Sequence, residues 1–311
     1  MSAITTLFPV FAMIALGTVS RIKGWVTPQQ KDGANHIVFN ILFPIMIFNI
    51  LLTAKVNAQT VFIVGYVFIA FCLTLFIGTL VSRFTGSKTA HFSPYLLTTV
   101  EGGNVALPLF TSIVGMAYAS HTVIFDIAGS LLAFIIVPVL VAKSTAASPD
   151  KKALLKQIFT NSFVIAVLAG LLLNVTGIYD LLSQSAWLDL YTKTVSQMTG
   201  PIVGMILFII GYNLKINPET LSDLLKLLLV RLILFIAIIA GFFILFPELM
   251  ADQIYMIAVL IYFMSPTGFA MPMLIAPLNK DEQDVDFQSA FISLYMIVTL
   301  VVYALIVIFI V

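Results

Sequence analysis

Two short stretches carry most of the chemistry in this sequence. Residues 100–108 read VEGGNVALP and residues 265–272 read SPTGFAMP, each inside an otherwise apolar run. The first sets a carboxylate (Glu101), two glycines (Gly102, Gly103), an amide (Asn104), Val105 and a proline (Pro108) where a membrane helix belongs. The second offers Ser265, Pro266, Thr267, Gly268, Phe269 and Pro272. Glycine adds no side-chain restraint and proline lacks an N–H, so both interrupt helices. In lipid, the freed backbone groups are tolerated only when they are buried in protein or line a wet cavity. Half-helices starting near Asn104 and Gly268 would aim free N–H groups and positive dipole ends at the membrane midplane, and such ends bind anions. The expected ligand is therefore a small anion, a carboxylate, held by residues 101–105 and 265–269.

Charges inside an apolar span are costly and usually functional. Glu101 sits at the first break. A carboxylate there repels an anionic substrate unless it is neutralised, so it is expected to exchange a proton or bind a cation, or else to pair with Arg231 or a backbone nest. Asp126, in HTVIFDIAGSLLAF, is a second candidate for proton or cation coupling; the plainer reading is a polar helix-end residue. Arg231, in LLLVRLILF, is a candidate counter-charge for substrate or for Glu101; the plainer reading is snorkelling to the membrane edge. Asn40, Asn49, Gln197 and Asn213 are weaker candidates for the pathway, because such side chains often only join neighbouring helices. His36, His91 and His121 fall near span ends without a second ligand at helical spacing, so no metal site is expected. The chain has no HExxH, no GxSxG and no Asp pair suited to a protease dyad, which argues against an enzyme; no cofactor is expected.

These residues need a scaffold, and the composition says which kind. Of 311 residues, 61% are hydrophobic and only 9% charged, against about 25% charged in a soluble domain. The chain reads as an all-α integral membrane protein. The net charge of +1 and the absence of a basic cluster leave no nucleic-acid partner. Cys72 is the single cysteine, so no internal disulfide forms. The N-terminus has no basic leader, and its first apolar segment reads as a retained helix. With about 20 apolar residues per crossing, ten spans are expected, at roughly 4–20, 33–53, 60–82, 92–116, 120–142, 156–176, 192–213, 222–246, 252–276 and 287–311. Loops after the odd-numbered spans hold Arg21, Lys23, Lys31, Arg83, Lys88, Lys143, Lys151, Lys152, Lys156, Lys215, Lys226 and Lys280; the opposite loops hold only Lys55 and Lys193. Basic loops stay cytoplasmic, which puts both termini outside.

The segment 143–155 reads as a cytoplasmic linker between two halves, 1–142 and 156–311. The halves resemble each other. Gly17 and Gly24 match Gly170 and Gly177, Pro44 matches Pro201, and NVALPLF matches GFAMPML, at similar offsets and in the same order. Five spans per half is an odd number, so the second half enters the membrane inverted. Inverted repeats with paired Gly/Pro breaks are a signature of secondary transporters.

These residues resemble the auxin efflux carrier family, which includes plant auxin exporters and bacterial malate and malonate permeases. The resemblance covers essentially the whole chain. The family pattern in the fourth span places Asn seven residues before Pro, often as Asn-Thr-Gly-x-x-Gly-x-Pro. Here Pro108, Leu109 and Gly103 match, Glu101 takes the Asn position, and Ala106 replaces the second Gly. The departure favours a titratable role for Glu101 and leaves Asn104 as a displaced amide. Pro266 and Pro272 occupy the proline-rich crossing of the ninth span, and the short central linker is similar to that of the permease branch. The resemblance implies a scaffold of spans 1, 2, 6 and 7 and a transport domain of spans 3–5 and 8–10. It also implies substrate at the helix crossing, elevator-type movement and a homodimer in the cell inner (plasma) membrane. The implied cargo is an organic-acid anion, malate or a related C4-dicarboxylate. Open alternatives are a sodium-coupled symporter resembling bile-acid symporters, an auxin-like monocarboxylate exporter and, remotely, an intramembrane enzyme.

Overall fold

The computed structural model describes residues 3–54, 57–86, 89–145, 156, 160, 162–213 and 221–311. Lys55, Lys88, Lys151, Lys152, Lys215 and residues 146–155 of the expected linker lie outside the described residues. All regular structure among the described residues is helical. Six helices there are long and apolar enough to cross a membrane: Pro28–Thr53, Ala58–Val81, Ser120–Ser144, Leu188–Asn213, Leu221–Leu245 and Glu282–Phe309. Shorter apolar helices cover Leu7–Ile22, Gly102–Val114, Val164–Val175 and Gln253–Phe263. The long helices fall on the expected spans two, three, five, seven, eight and ten, and the short ones on one, four, six and nine.

Several helices start earlier than hydropathy suggests, because polar caps extend them beyond the apolar stretch. Thr27 and Gln30 form a capping box ahead of α2 (Pro28–Ile37), and Asn57 caps α4 (Ala58–Val81). The Asp281 carboxylate accepts from the N–H groups of Gln283 and Asp284 at 3.0 and 3.2 Å, so the last helix begins at Glu282, not near 287.

The first helix, α1 (Ala3–Ile22), lies against α12 (Ile202–Asn213) with backbones almost touching. A Cβ on Gly211 would fall 1.8 Å from the Ile14 carbonyl oxygen, and one on Gly17 would fall 2.0 Å from that of Phe208. Small residues allow this approach where lipid supplies no hydrophobic drive. The Thr18 hydroxyl donates to the Gly211 carbonyl at 2.8 Å within the seam. A second seam joins α9 (Ser162–Val175) to α3 (Phe43–Thr53), where a Cβ on Gly170 would meet the Phe48 carbonyl oxygen at 3.0 Å. There the Asn174 amide donates to the carbonyls of Leu51, Leu52 and Ala54, closing the C-terminal end of α3. Gly24 and Gly177 end α1 and α9, both in the left-handed region at φ +67° and +70°.

Among the described residues, three helices carry a π-turn: Val38–Leu42 between α2 and α3, Gly102–Ala106 ahead of α6 (Leu107–Val114), and Leu132–Ile136 between α7 (Ser120–Leu131) and α8 (Val137–Ser144). Each ends two residues before a proline: Pro44, Pro108 and Pro138. A proline ring collides with the carbonyl four residues back. The turn ahead of it widens, and the preceding N–H bonds five residues back: Phe43 to Val38, Leu107 to Gly102, Val137 to Leu132.

Candidate functional site

The two expected breaks are unwound segments. In the first, α5 (Ser93–Leu96) gives way to a non-helical run at 97–101 before the helix resumes at Gly102. In the second, α15 (Gln253–Phe263) ends and 264–270 run irregularly into α16 (Met271–Leu274). The segments lie side by side. The Glu101 N–H donates to the Pro266 carbonyl at 2.7 Å, and the Thr267 hydroxyl donates to the Thr98 carbonyl at 2.9 Å. The last helix, α17 (Glu282–Phe309), also contributes: the Thr299 hydroxyl donates to the Met264 carbonyl at 2.7 Å.

Pro108 and Pro272, expected at the breaks themselves, lie instead in the resumed helices: Pro272 in the first turn, where a missing N–H costs nothing, and Pro108 just after the π-turn Gly102–Ala106 that accommodates its ring. The unwinding occurs upstream, at Thr98–Glu101 and Ser265–Gly268.

Arg231 requires the largest revision. It lies in the middle of α13 (Leu221–Leu245) and is fully buried, outside the cavity wall. Its guanidinium donates to the carbonyls of Leu96 (2.9 Å), Thr98 (3.3 Å), Thr99 (2.8 Å) and Ser265 (3.3 Å). The Phe235 ring covers its carbon at 4.0 Å and the Tyr295 ring at 4.9 Å. Among the described residues no ion pair joins it to Glu101 or Asp126. The unwound segments expose carbonyls that water cannot reach, and the planar five-donor fork of arginine satisfies four such bonds at once. It is a tie between the two breaks, not a counter-charge and not snorkelling. Ser265, Pro266, Thr267 and Val105, expected as substrate contacts, are also turned into the protein and do not line the cavity.

On the other side of the crossing is an open cavity of about 1650 Å³. Its inner wall includes Thr99, Glu101, Gly102, Gly103, Asn104, Asp126, Gly268 and Phe269, and its mouth includes Arg21, Lys31 and His36. Asn40 and Asn213 also line it; Asn49 instead accepts from the Tyr191 hydroxyl at 2.8 Å, and Gln197 is exposed on the outside of its helix. All three π-turns reach this cavity, through Phe39, Gly102 and Ala133.

The Glu101 carboxylate occupies the place an anion would take. One oxygen accepts the Asn104 N–H at 3.2 Å, at the N-terminus of the helix resuming after the first break, and the other accepts the Phe269 N–H from the second break. The protein's own anion thus bridges the helix that resumes after the first break and the unwound segment of the second. Asp126 stands beside it across Gly102, accepting from the Tyr262 hydroxyl at 3.1 Å. A Cβ on Gly102 would fall 2.2 Å from the Asp126 oxygen, so glycine is what lets the carboxylate approach. The Phe43 ring covers Gly103 equally closely, with its tip 2.1 Å from the Cβ position. The Asn104 side-chain oxygen is buried without a hydrogen-bond partner beside these groups.

Sequence reasoning missed Thr99, Tyr262 and Phe43. Thr99 is the one non-glycine residue with positive φ (52°) among the described residues, and its buried hydroxyl has no hydrogen-bond partner. A β-branched residue held there is strained, as residues at functional sites often are.

A family model described as membrane transport protein matches residues 2–311, which is essentially the whole chain. No curated protein matches the sequence.

Proposed function

Because the chain belongs to the auxin efflux carrier family of membrane transport proteins, we propose that it is a secondary carrier of small organic-acid anions, with malate or a related C4-dicarboxylate as cargo. The observation that carries this reading is the Glu101 carboxylate, bonded to the Asn104 N–H after the first break and to the Phe269 N–H of the second, at the floor of an open cavity of about 1650 Å³. Those N–H groups and the Asn104 amide suit a carboxylate ligand. Substrate can take them only when the negative charge of Glu101 is offset, so anion binding is linked to a proton or a cation bound at Glu101, with Asp126 as the second acidic group.

The architecture proposed is two inverted five-helix repeats, 1–142 and 156–311, joined by a cytoplasmic linker at 143–155. The helix seams support it: α1 packs on α12 as α9 packs on α3, the exchange of partners that a pseudo-two-fold axis demands. Spans 1, 2, 6 and 7 would form the scaffold, dimerising in the cell inner membrane, and spans 3–5 and 8–10 the moving unit of an elevator. With basic loops cytoplasmic and both termini outside, the cavity mouth at Arg21 and Lys31 faces the cytoplasm. This is the inward-open state.

The test is uptake of labelled L-malate by proteoliposomes under imposed pH, Na⁺ and voltage gradients, each varied alone. Wild-type protein should accumulate malate, Asn104→Ala should do so at least roughly tenfold less well while remaining folded, as expected for loss of a polar contact to a charged ligand, and Glu101→Gln should lose its response to the coupling gradient. Unchanged uptake in both variants would reject the site.

A further inference from the structure

The space left open by Gly268 is lined by oxygen. A Cβ built there would lie 3.7 Å from the Thr99 hydroxyl oxygen, 3.8 Å from the Val100 carbonyl oxygen and 3.9 Å from a Glu101 carboxylate oxygen. All four residues reach the cavity. Thr99 is 2% exposed, its hydroxyl has no hydrogen-bond partner, and its backbone is held at φ 52°. A carbonyl, a carboxylate and a hydroxyl around one gap form a hard, acceptor-rich set that suits a cation, and the carboxylate oxygen, which accepts the Phe269 N–H, keeps a further lone pair for it. A single carboxylate among neutral oxygens suits one positive charge. Among the described residues there is no group of three or more His, Cys, Asp or Glu side chains of the kind a transition metal would use.

We propose that Thr99, Val100 and Glu101 hold a monovalent metal cation of sodium's size in the gap beside Gly268. In membrane carriers such ions are coordinated by unwound backbone carbonyls and by the C-terminal ends of half-helices, and Val100 lies in the unwound run that follows α5. The inference rests on the carrier reading and names the coupling ion. The open coordination positions face the cavity, where the substrate carboxylate completes the shell, so ion and anion each raise the other's affinity. Charge supports the count. The groups facing Glu101 are Asp126 from α7 and Tyr262 from α15, with Arg231 of α13 behind the crossing on the carbonyls. Glu101, the one carboxylate among these three oxygens, supplies one negative charge, which a single Na⁺ cancels.

The test uses the full chain in detergent, with choline as the only other cation and no organic acid present, so it does not depend on transport. NaCl should raise the thermal unfolding midpoint saturably, and ²²Na⁺ should bind with the same midpoint concentration. Gly268→Ala adds a methyl at ordinary contact distance from all three oxygens. It should fold and bind Na⁺ at least tenfold more weakly. Thr99→Ala should lose binding and Thr99→Ser should keep it, while Gly65→Ala, which meets nothing within 4 Å, should bind as wild type does. No Na⁺ response in the wild type, or wild-type affinity in Gly268→Ala, would overturn the cation site. Stabilisation by acid alone would likewise overturn it and assign the charge to a proton. In either case malate uptake would still judge the carrier reading separately.

Discussion

Arg231 separates two accounts of the crossing. As a substrate counter-charge, its loss would spare the fold and weaken uptake. As a tie between unwound segments, its loss strikes the fold first. The structure allows a magnitude. Four N–H donations would vanish, two at 2.8–2.9 Å and two at 3.3 Å, and the carbonyls of Leu96, Thr98, Thr99 and Ser265 would remain buried. Side-chain hydrogen bonds inside membranes average only about 0.6 kcal/mol, because the unfolded chain in lipid finds other partners. Bonds to a charged group are worth about 1.5–3 kcal/mol each. Counting all four at the low figure, or only the two short ones at the high figure, brackets the loss at about 2–6 kcal/mol. That is a large fraction of a typical stability of about 5–15 kcal/mol. Arg231→Gln should therefore lower the thermal midpoint in detergent by at least roughly 4 °C, taking about 2–4 °C per kcal/mol for a large domain. Arg231→Lys keeps the charge but not the planar fork, and should fall between the two. Size-exclusion profiles and thermal unfolding would be read beside malate binding on the same preparations. If Arg231→Gln were as stable as wild type and had only lost malate affinity, the tie would be refuted.

Gly102→Ala would put a methyl 2.2 Å from the Asp126 carboxylate and 2.8 Å from the Tyr262 ring; uptake should fall at least roughly tenfold, with a smaller effect on the thermal midpoint than Arg231→Gln, because the side chains can turn aside. Gly211→Ala would meet the Ile14 backbone oxygen at 1.8 Å, which cannot turn aside, and should cost at least about 2 kcal/mol in thermal unfolding, whereas Gly65→Ala in open space should be neutral or stabilising by about 0.5–1 kcal/mol.

The sequence displays what composition and periodicity encode. Apolar runs of membrane length place the helices, and Gly-Gly-Asn and Pro-Thr-Gly mark the neighbourhood of the two breaks, the first of which unwinds just upstream at Thr98–Glu101, because helix-hostile residues in an apolar run have few other uses. The paired glycines are legible as repeats, and the structure supplies their causes: Gly17 and Gly170 sit at close helix approaches, Gly24 and Gly177 at left-handed helix ends. The direction of a side chain is another matter. Ser265 and Thr267 lie in the crossing, and Arg231, from another helix, reaches it in space, yet all three point to backbone carbonyls and not to the cavity. Which face a residue of an irregular segment presents depends on local dihedrals that no period predicts. Thr99 hides for the same reason: its left-handed backbone is imposed by the crossing, and nothing in LLTTV announces it.

The locked crossing and the three π-turns divide the labour. Arg231, Thr267 and Thr299 hold the unwound segments to α13, to each other and to α17, so the floor of the cavity behaves as one body. The walls are built differently. Each of three wall helices carries a π-turn ended by a proline, and each such turn trades regular i→i−4 bonds for a wider, less constrained step. Phe43, just after the first π-turn, lays its ring on Gly103, just inside the second. The second span thus meets the fourth with an aromatic ring laid on a glycine. The bonds that shape the site run among α13, the two unwound segments and α17, and not to the second span. The proposed elevator movement would leave those bonds intact.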